Sequence, residues 1–171
     1  IELAQGSKVL ALVFRVLDPP DAFDLDKLKS FGDHHRLEIW LQSKGPDSIQ
    51  LIHPAESALS YRLRDFALDY PFRPTDFTQV NHLVNEVLVR KAVRLLDLNV
   101  EDEVLDLFCG LGNFSLAIAS IAARVTGVEG SETLIRRAQT IAVSQGLSSR
   151  VNFVTANLFT LSDDHWLAFR R

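Results

Sequence analysis

The chain has 171 residues, 47% hydrophobic and 23% charged, a globular composition that excludes disorder and collagen-like structure. A net charge of −4 argues against a dedicated polyanion-binding module, and no apolar run approaches the ~20 residues that span a bilayer. The single cysteine, Cys109, excludes a disulfide framework and an all-cysteine metal site within the chain and fits a reducing, cytoplasmic setting; the absence of any methionine predicts a piece of a longer protein.

Ile1–Gln5 leads directly into Lys8–Val16, an apolar, β-rich run that stops at Asp18-Pro19-Pro20 and carries no signal-peptide pattern. Asp24 is expected to cap a short helix through Phe31, with Gly32 as its stop. Arg36–Gln42 alternates with period two, Lys44–Asp47 reads as a turn, and Ser48–His53 resumes as a strand. Leu59–Leu63 and Phe66–Phe72 add strand-like segments, so residues 1–72 predict an antiparallel α+β domain with one covering helix.

Beyond Pro74 the period changes. Val80, Leu83, Val84, Val87, Leu88, Ala92, Leu95 and Leu96 recur at helical spacing, which predicts a long amphipathic helix to about Leu98. Strand Glu103–Phe108, a glycine loop Cys109–Gly112, helix Asn113–Ala123, strand Arg124–Val128, a helix capped by Ser131 and stopped at Gly146, and strand Val151–Val154 follow. Strand, helix, strand, helix, strand with short links is the signature of a doubly wound, Rossmann-like parallel sheet, assigned to residues 73–171. Such a domain normally has five or more strands, so the expectation is an α/β chain that carries only the first part of that sheet.

The loop closes a strand and opens a helix, where Gly110 and Gly112 let a ligand approach backbone without a Cβ in the way. Glu129 ends the next strand, where a carboxylate can accept both hydroxyls of a ribose. Dinucleotide and S-adenosylmethionine sites share this spacing. Ser115 occupies the place of the third glycine of the dinucleotide fingerprint, and Asp106 before the loop suits a cationic ligand better than a pyrophosphate.

The segments DLFCGLGNFSL (106–116), GVEG (127–130) and RPTDFTQVN (73–81) together resemble the RNA uracil-5-methyltransferase family, and most closely its bacterial 23S ribosomal RNA branch. The resemblance covers roughly residues 1–160 and implies S-adenosyl-L-methionine as cofactor and ribosomal RNA as partner, with neither DNA nor membrane expected. It also implies an iron–sulfur cluster in the parent protein, whose cysteine ligands are not in this chain. Carried over by position, it implies cofactor contacts from Gln79, Phe108, Gly110, Gly112, Asn113, Glu129 and Asn157, the last facing adenine. The family often has an Asn-Ala pair in the second core helix and Asn-Gly after it; here Ile141-Ala142 and Gln145-Gly146 stand there, as packing and capping residues.

The chemistry implied is transfer of a methyl group to C5 of a uridine. A cysteine thiolate adds at C6, the resulting enolate attacks the methyl sulfonium, and a base then removes the C5 proton. By the resemblance that cysteine and that base lie beyond Arg171, so no catalytic residue is assigned within the chain and the fragment alone is expected not to methylate. Cys109 reads as a small packing residue in the cofactor loop.

Two alternatives stay open: a cofactor- or RNA-binding module without turnover, and an NAD-dependent oxidoreductase fragment. Arg62, Arg64, Arg73, Arg90, Lys91 and Arg94 form a modest basic cluster, readable as an RNA-backbone contact or as a salt-bridged surface. His34, His35, His53, His82 and His165 are scattered without metal-ligand spacing, and Trp40 and Trp166 are undecided between core and surface.

Overall fold

The structure is a computed structural model that describes residues 1–79, 81–160 and 169; Val80, His165 and Trp166, named above, lie outside the described residues. The chain divides into two compact units, one of residues 1–61 and 71–82 and one of residues 62–70 and 83–171. It therefore crosses between units more than once, where the sequence suggests a single boundary at residue 72.

In the first unit β1 (Glu2–Gln5), β2 (Leu10–Arg15), β3 (Leu37–Gln42) and β4 (Ile49–His53) form one sheet in that order, with α1 (Ala22–His35) between β2 and β3. The expected antiparallel sheet is in fact mixed. β1/β2 and β3/β4 are antiparallel, whereas β2 and β3 run parallel, Leu10 facing Leu37 and Arg15 facing Gln42. A helix joining two neighbouring strands is a crossover, and a crossover returns the chain in the same direction.

α1 is longer than expected at both ends. Asp21, not Asp24, is the N-cap, its Oδ1 accepting from the Asp24 N–H at 2.8 Å, and Arg36 ends the helix in left-handed backbone. Gly32 is no stop: it is buried inside the helix, where a Cβ would lie 2.8 Å from the His53 ring and 2.9 Å from Ile39. Ala11, Val13, Ile39 and Trp40 fill the core, which places Trp40 inside. The buried Glu38 carboxylate is satisfied by the Trp40 indole, the Ser57 hydroxyl and the Ala58 N–H at 3.0, 2.8 and 2.6 Å.

β5 (Ser60–Leu63) and β6 (Leu68–Pro71) form a separate two-stranded ribbon. Then come α2 (His82–Leu96), β7 (Glu103–Leu107), α3 (Ser115–Ala119), β8 (Arg124–Glu129), α4 (Glu132–Ser144) and β9 (Val151–Thr155). β7, β8 and β9 are parallel in that order, the expected start of a doubly wound sheet, with Leu116, Ala117, Val125, Val128 and Ala138 fully buried against it. Ser131 caps α4 as expected, and Ile141 and Ala142 are packed inside while Gln145 caps its end.

Two helices depart from expectation. α3 has five residues rather than eleven, because the Ser120 hydroxyl bonds the Ala117 carbonyl and the Ile121 N–H turns back to Ile118. α2 is helical over nearly the expected span but buries Asn85, Glu86, Val89 and Val93, leaving Leu83, Val84, Val87, Leu88, Leu95 and Leu96 exposed. No helix among the described residues is long and apolar enough to cross a membrane.

Candidate functional site

β7, β8 and β9 end side by side, and six of the seven residues singled out above lie at or just beyond those carboxyl ends. Phe108, the first residue after β7, has φ 59°, a left-handed conformation rare outside glycine. The Cys109 N–H then bonds the Val128 carbonyl at 3.1 Å, which keeps the loop on β8, and the Gly112 N–H closes a tight turn onto the Cys109 carbonyl at 2.8 Å.

The two loop glycines serve different needs. Gly110, at φ 57°, has no atom within 4 Å of the place a Cβ would take, so its backbone faces open space. Gly112, at φ 83°, is buried, and a Cβ there would stand 2.9 Å from the Phe153 ring. Gly127, which opens the GVEG segment but is not among the implied cofactor contacts, is tighter still, at 2.7 Å from the same ring and 3.0 Å from the Cys109 sulfur.

Glu129 is half-buried and points back to the loop. Its Oε2 accepts from the Gly110 N–H at 3.3 Å and its Oε1 from the Ser131 N–H at 3.0 Å. A carboxylate offers roughly four lone-pair sites, so about two remain for hydroxyl donors. Asn157 is exposed after β9, and its Oδ1 accepts from the Phe159 N–H at 3.0 Å, which biases the amide toward donating. Phe108, 59% exposed, meets the Phe159 ring at 5.6 Å between centroids. Phe159 was not in the sequence-based set; an aromatic two residues after Asn157 was the available signal.

Asn113 is held from α2: it exchanges two 3.0 Å hydrogen bonds with the side chain of Asn85, also absent from the sequence-based set. Gln79 lies in an irregular, exposed stretch of the first unit, whereas the other six residues belong to the second.

Two further groups set the electrostatics. Ser115, fully buried, donates its hydroxyl to Asp106 Oδ2 at 2.5 Å. Burial pushes the Asp106 carboxyl above its ordinary range, and the bonds from Ser115 oppose the shift. Burial also pushes the Cys109 thiol up to about 12, with the Asp106 and Glu129 carboxylates adding to it. Cys109 is therefore protonated at neutral pH, without the thiolate a nucleophile needs.

Three of the six residues of the basic cluster form salt bridges. Arg64 holds the buried Glu86 through both its Nε and Nη2, Arg90 meets Asp65 at 2.8 Å and Arg62 meets Asp69 at 3.8 Å. Lys91 and Arg94 are exposed on α2, and Arg73 lies in the first unit. Among the described residues no three His, Cys, Asp or Glu side chains could hold a metal ion, and one cysteine does not fit the ligand set of an iron–sulfur cluster.

Residues 16–170 match the family model described as tRNA (uracil-5-)-methyltransferase. The chain belongs to that family. It is 48% identical over 171 residues to the 23S rRNA (uracil(1939)-C(5))-methyltransferase RlmD of Cupriavidus metallidurans, covering all of this chain and 37% of that protein. To the RlmD of Burkholderia thailandensis it is 51% identical over 164 residues, 96% of this chain and 35% of the relative. The chain thus spans little more than a third of the length of these relatives.

Among solved structures, the tRNA (uracil-54, C5)-methyltransferase of Pyrococcus abyssi, in complex with S-adenosyl-L-homocysteine, superposes with a TM-score of 0.68 over 94% of this chain and 40% of its own, at 22% identity. The tRNA m1G37 methyltransferase of M. jannaschii does so with a TM-score of 0.60, over 94% and 48%, at 11% identity. At those identities the likeness speaks to the fold. Family membership overturns the NAD-dependent oxidoreductase alternative.

Proposed function

We propose that this chain carries the S-adenosylmethionine-binding part of an RNA methyltransferase that methylates C5 of a uridine in 23S ribosomal RNA, in the cytoplasm. The identities of 48% and 51% to two RlmD proteins support the substrate class. The observation that carries the cofactor is the Glu129 carboxylate, fixed by the Gly110 and Ser131 amides at the carboxyl end of β8 with acceptor capacity to spare.

When bound, S-adenosylmethionine supplies an electrophilic methyl group on a sulfonium. Around it the residues have separable tasks. Glu129 accepts the ribose hydroxyls, and the open face of Gly110 lets the ligand lie against backbone. Asn157 donates its amide N–H to an adenine ring nitrogen, and Phe108 offers an exposed aromatic face beside the loop. Gln79 belongs to the first unit, and its part in cofactor binding rests on the resemblance alone.

Addition to C6 of uracil needs a thiolate, and Cys109, buried and protonated, does not supply one. The nucleophile and base are accordingly proposed to lie outside these residues, and this chain by itself to bind cofactor without turnover. Calorimetric titration of S-adenosylhomocysteine, with circular dichroism to confirm folding, tests the reading. Saturable binding is expected, weakened by about 1–3 kcal/mol in Glu129→Ala, the scale of a lost buried hydrogen bond. Unchanged affinity in that variant removes Glu129 from the site, and a folded chain that does not bind refutes the cofactor reading.

A further inference from the structure

We infer that Asn85 is a positioning residue for the glycine loop: from α2 it locks Asn113, and through it the backbone of residues 110–113, in the conformation that receives the cofactor. The inference rests on the reading above that this loop holds the cofactor.

Asn85 is 2% exposed. Its Nδ2 donates to Asn113 Oδ1 at 3.0 Å, and Asn113 Nδ2 donates to Asn85 Oδ1 at 3.0 Å. Each partner of this closed ring must present one donor and one acceptor side by side, which among side chains restricts it to an amide or a protonated acid. A buried amide with only one bond made carries the desolvation cost of the other, so the two bonds form or fail together.

The position of Asn113 turns this local contact into control of the loop. Asn113 directly follows Gly112, whose N–H closes the turn onto the Cys109 carbonyl and whose carbonyl accepts from Leu116 of α3 at 3.0 Å. The fully buried Tyr70 adds a hydroxyl aimed at the Gly112 and Asn113 carbonyls, at 3.3 and 3.4 Å. Glu129 ties the start of the loop through Gly110, and Asn85 ties its end. Of the buried residues of α2, Val89 and Val93 are apolar, and the two polar ones, Asn85 and Glu86, each meet a polar partner, Asn113 and Arg64.

The test combines binding with a readout that needs no ligand. Asn85→Ala should lower the affinity of the chain for S-adenosylhomocysteine about tenfold, the scale of lost buried hydrogen bonds. It should also speed amide hydrogen exchange at Gly112 and Asn113 while leaving β8 amides such as Val128 unchanged. In Asn85→Asp the ionised carboxylate opposes Asn113 Oδ1, but the protonated acid restores one donor and one acceptor. Its affinity deficit relative to wild type at the same pH should therefore shrink as the pH falls from 8 toward 5. Uniformly faster exchange, or an Asn85→Asp deficit that does not move with pH, makes Asn85 merely structural and overturns the inference. If the wild-type chain does not bind S-adenosylhomocysteine, the cofactor reading falls, and selective or uniform exchange still decides whether Asn85 sets the loop.

Discussion

Replacing each loop glycine by alanine should separate two physical reasons for glycine that look identical in sequence. Both Gly110 and Gly112 have positive φ, 57° and 83°, so alanine costs each roughly 1–2 kcal/mol in backbone conformation. At Gly110 nothing lies within 4 Å of the added methyl, and the cost should end there. At Gly112 the methyl would sit 2.9 Å from Phe153 Cζ and 3.3 Å from its Cε1, inside contact distance of a ring that is itself 5% exposed and cannot swing into solvent. Overpacking of that kind adds about 1–3 kcal/mol, for a total of about 2–5 kcal/mol. Urea unfolding followed by circular dichroism measures both variants. A Phe153→Leu background, which removes the offending ring atoms, should recover about 1 kcal/mol of the Gly112→Ala cost as a non-additive term. Equal costs at the two glycines, or strict additivity with Phe153→Leu, would refute the claim that Gly112 is glycine for packing as well as for φ.

Three other expectations come from the titrating groups. Cys109, its thiol pushed up to about 12, should resist iodoacetamide at pH 8 in the native chain and label once urea unfolds it; native labelling at the rate of a free thiol, read by mass spectrometry, contradicts this. The bond from Arg64 holds the Glu86 carboxyl below its ordinary range, so its stabilisation is present above the ordinary glutamate pKa of ~4.3 and is lost as pH falls through the lower folded value. Arg64→Ala should therefore lower the melting temperature at pH 7 and differ little from wild type at the acid end, and a deficit independent of pH would count against that pair. Ser115→Ala should destabilise the fold by about 1–3 kcal/mol by stripping the Asp106 carboxylate of its donor. Because the Asp106 carboxyl is already raised, protonation favours the folded state, so this variant should lose less stability than wild type as the pH is lowered; a larger loss would argue against the bond.

What the sequence made legible follows from what its signals encode. Period and punctuation mark elements, and β7 through β9 with the Ser131 cap fall where the alternation of strand and helix puts them. Period does not encode facing. In α2 the residues that look like a core stripe, Leu83, Val84, Val87 and Leu88, are exposed, and the buried positions include Asn85 and Glu86 because each meets a partner distant in the chain, Asn113 and Arg64. Gly32 fails in the same way: a glycine near a helix end resembles a stop, and only the neighbouring Ile39 and His53 show that it makes room. Strand direction is a third such case, since the alternating pattern of Arg36–Gln42 is the same whether its neighbour runs parallel or antiparallel. In the candidate site, the placing of the loop, its glycines and Glu129 at the strand ends was readable as spacing, whereas the contacts of Asn85 with Asn113 and of Phe159 with Phe108 were not, because they exist only across the fold.

Ser115 shows how a departure from a motif can carry more information than a match. As a missing third glycine it only weakens a pyrophosphate cradle. In the structure its buried hydroxyl holds Asp106, a bond no glycine could make, and so keeps a carboxylate under the loop. With Glu129 at the neighbouring strand end, that carboxylate sets the sign of the local field. The field would repel a pyrophosphate and attract a cation, and the same field acts on Cys109, where it reinforces burial in keeping the thiol protonated. The same negative charge thus bears on two properties that look unrelated in sequence: it would favour a cation beside the loop, and it adds to the burial that is the larger cause of the raised Cys109 pKa. Removing those carboxylates would leave the larger burial penalty in place, so Cys109 is a poor position for a thiolate on both counts.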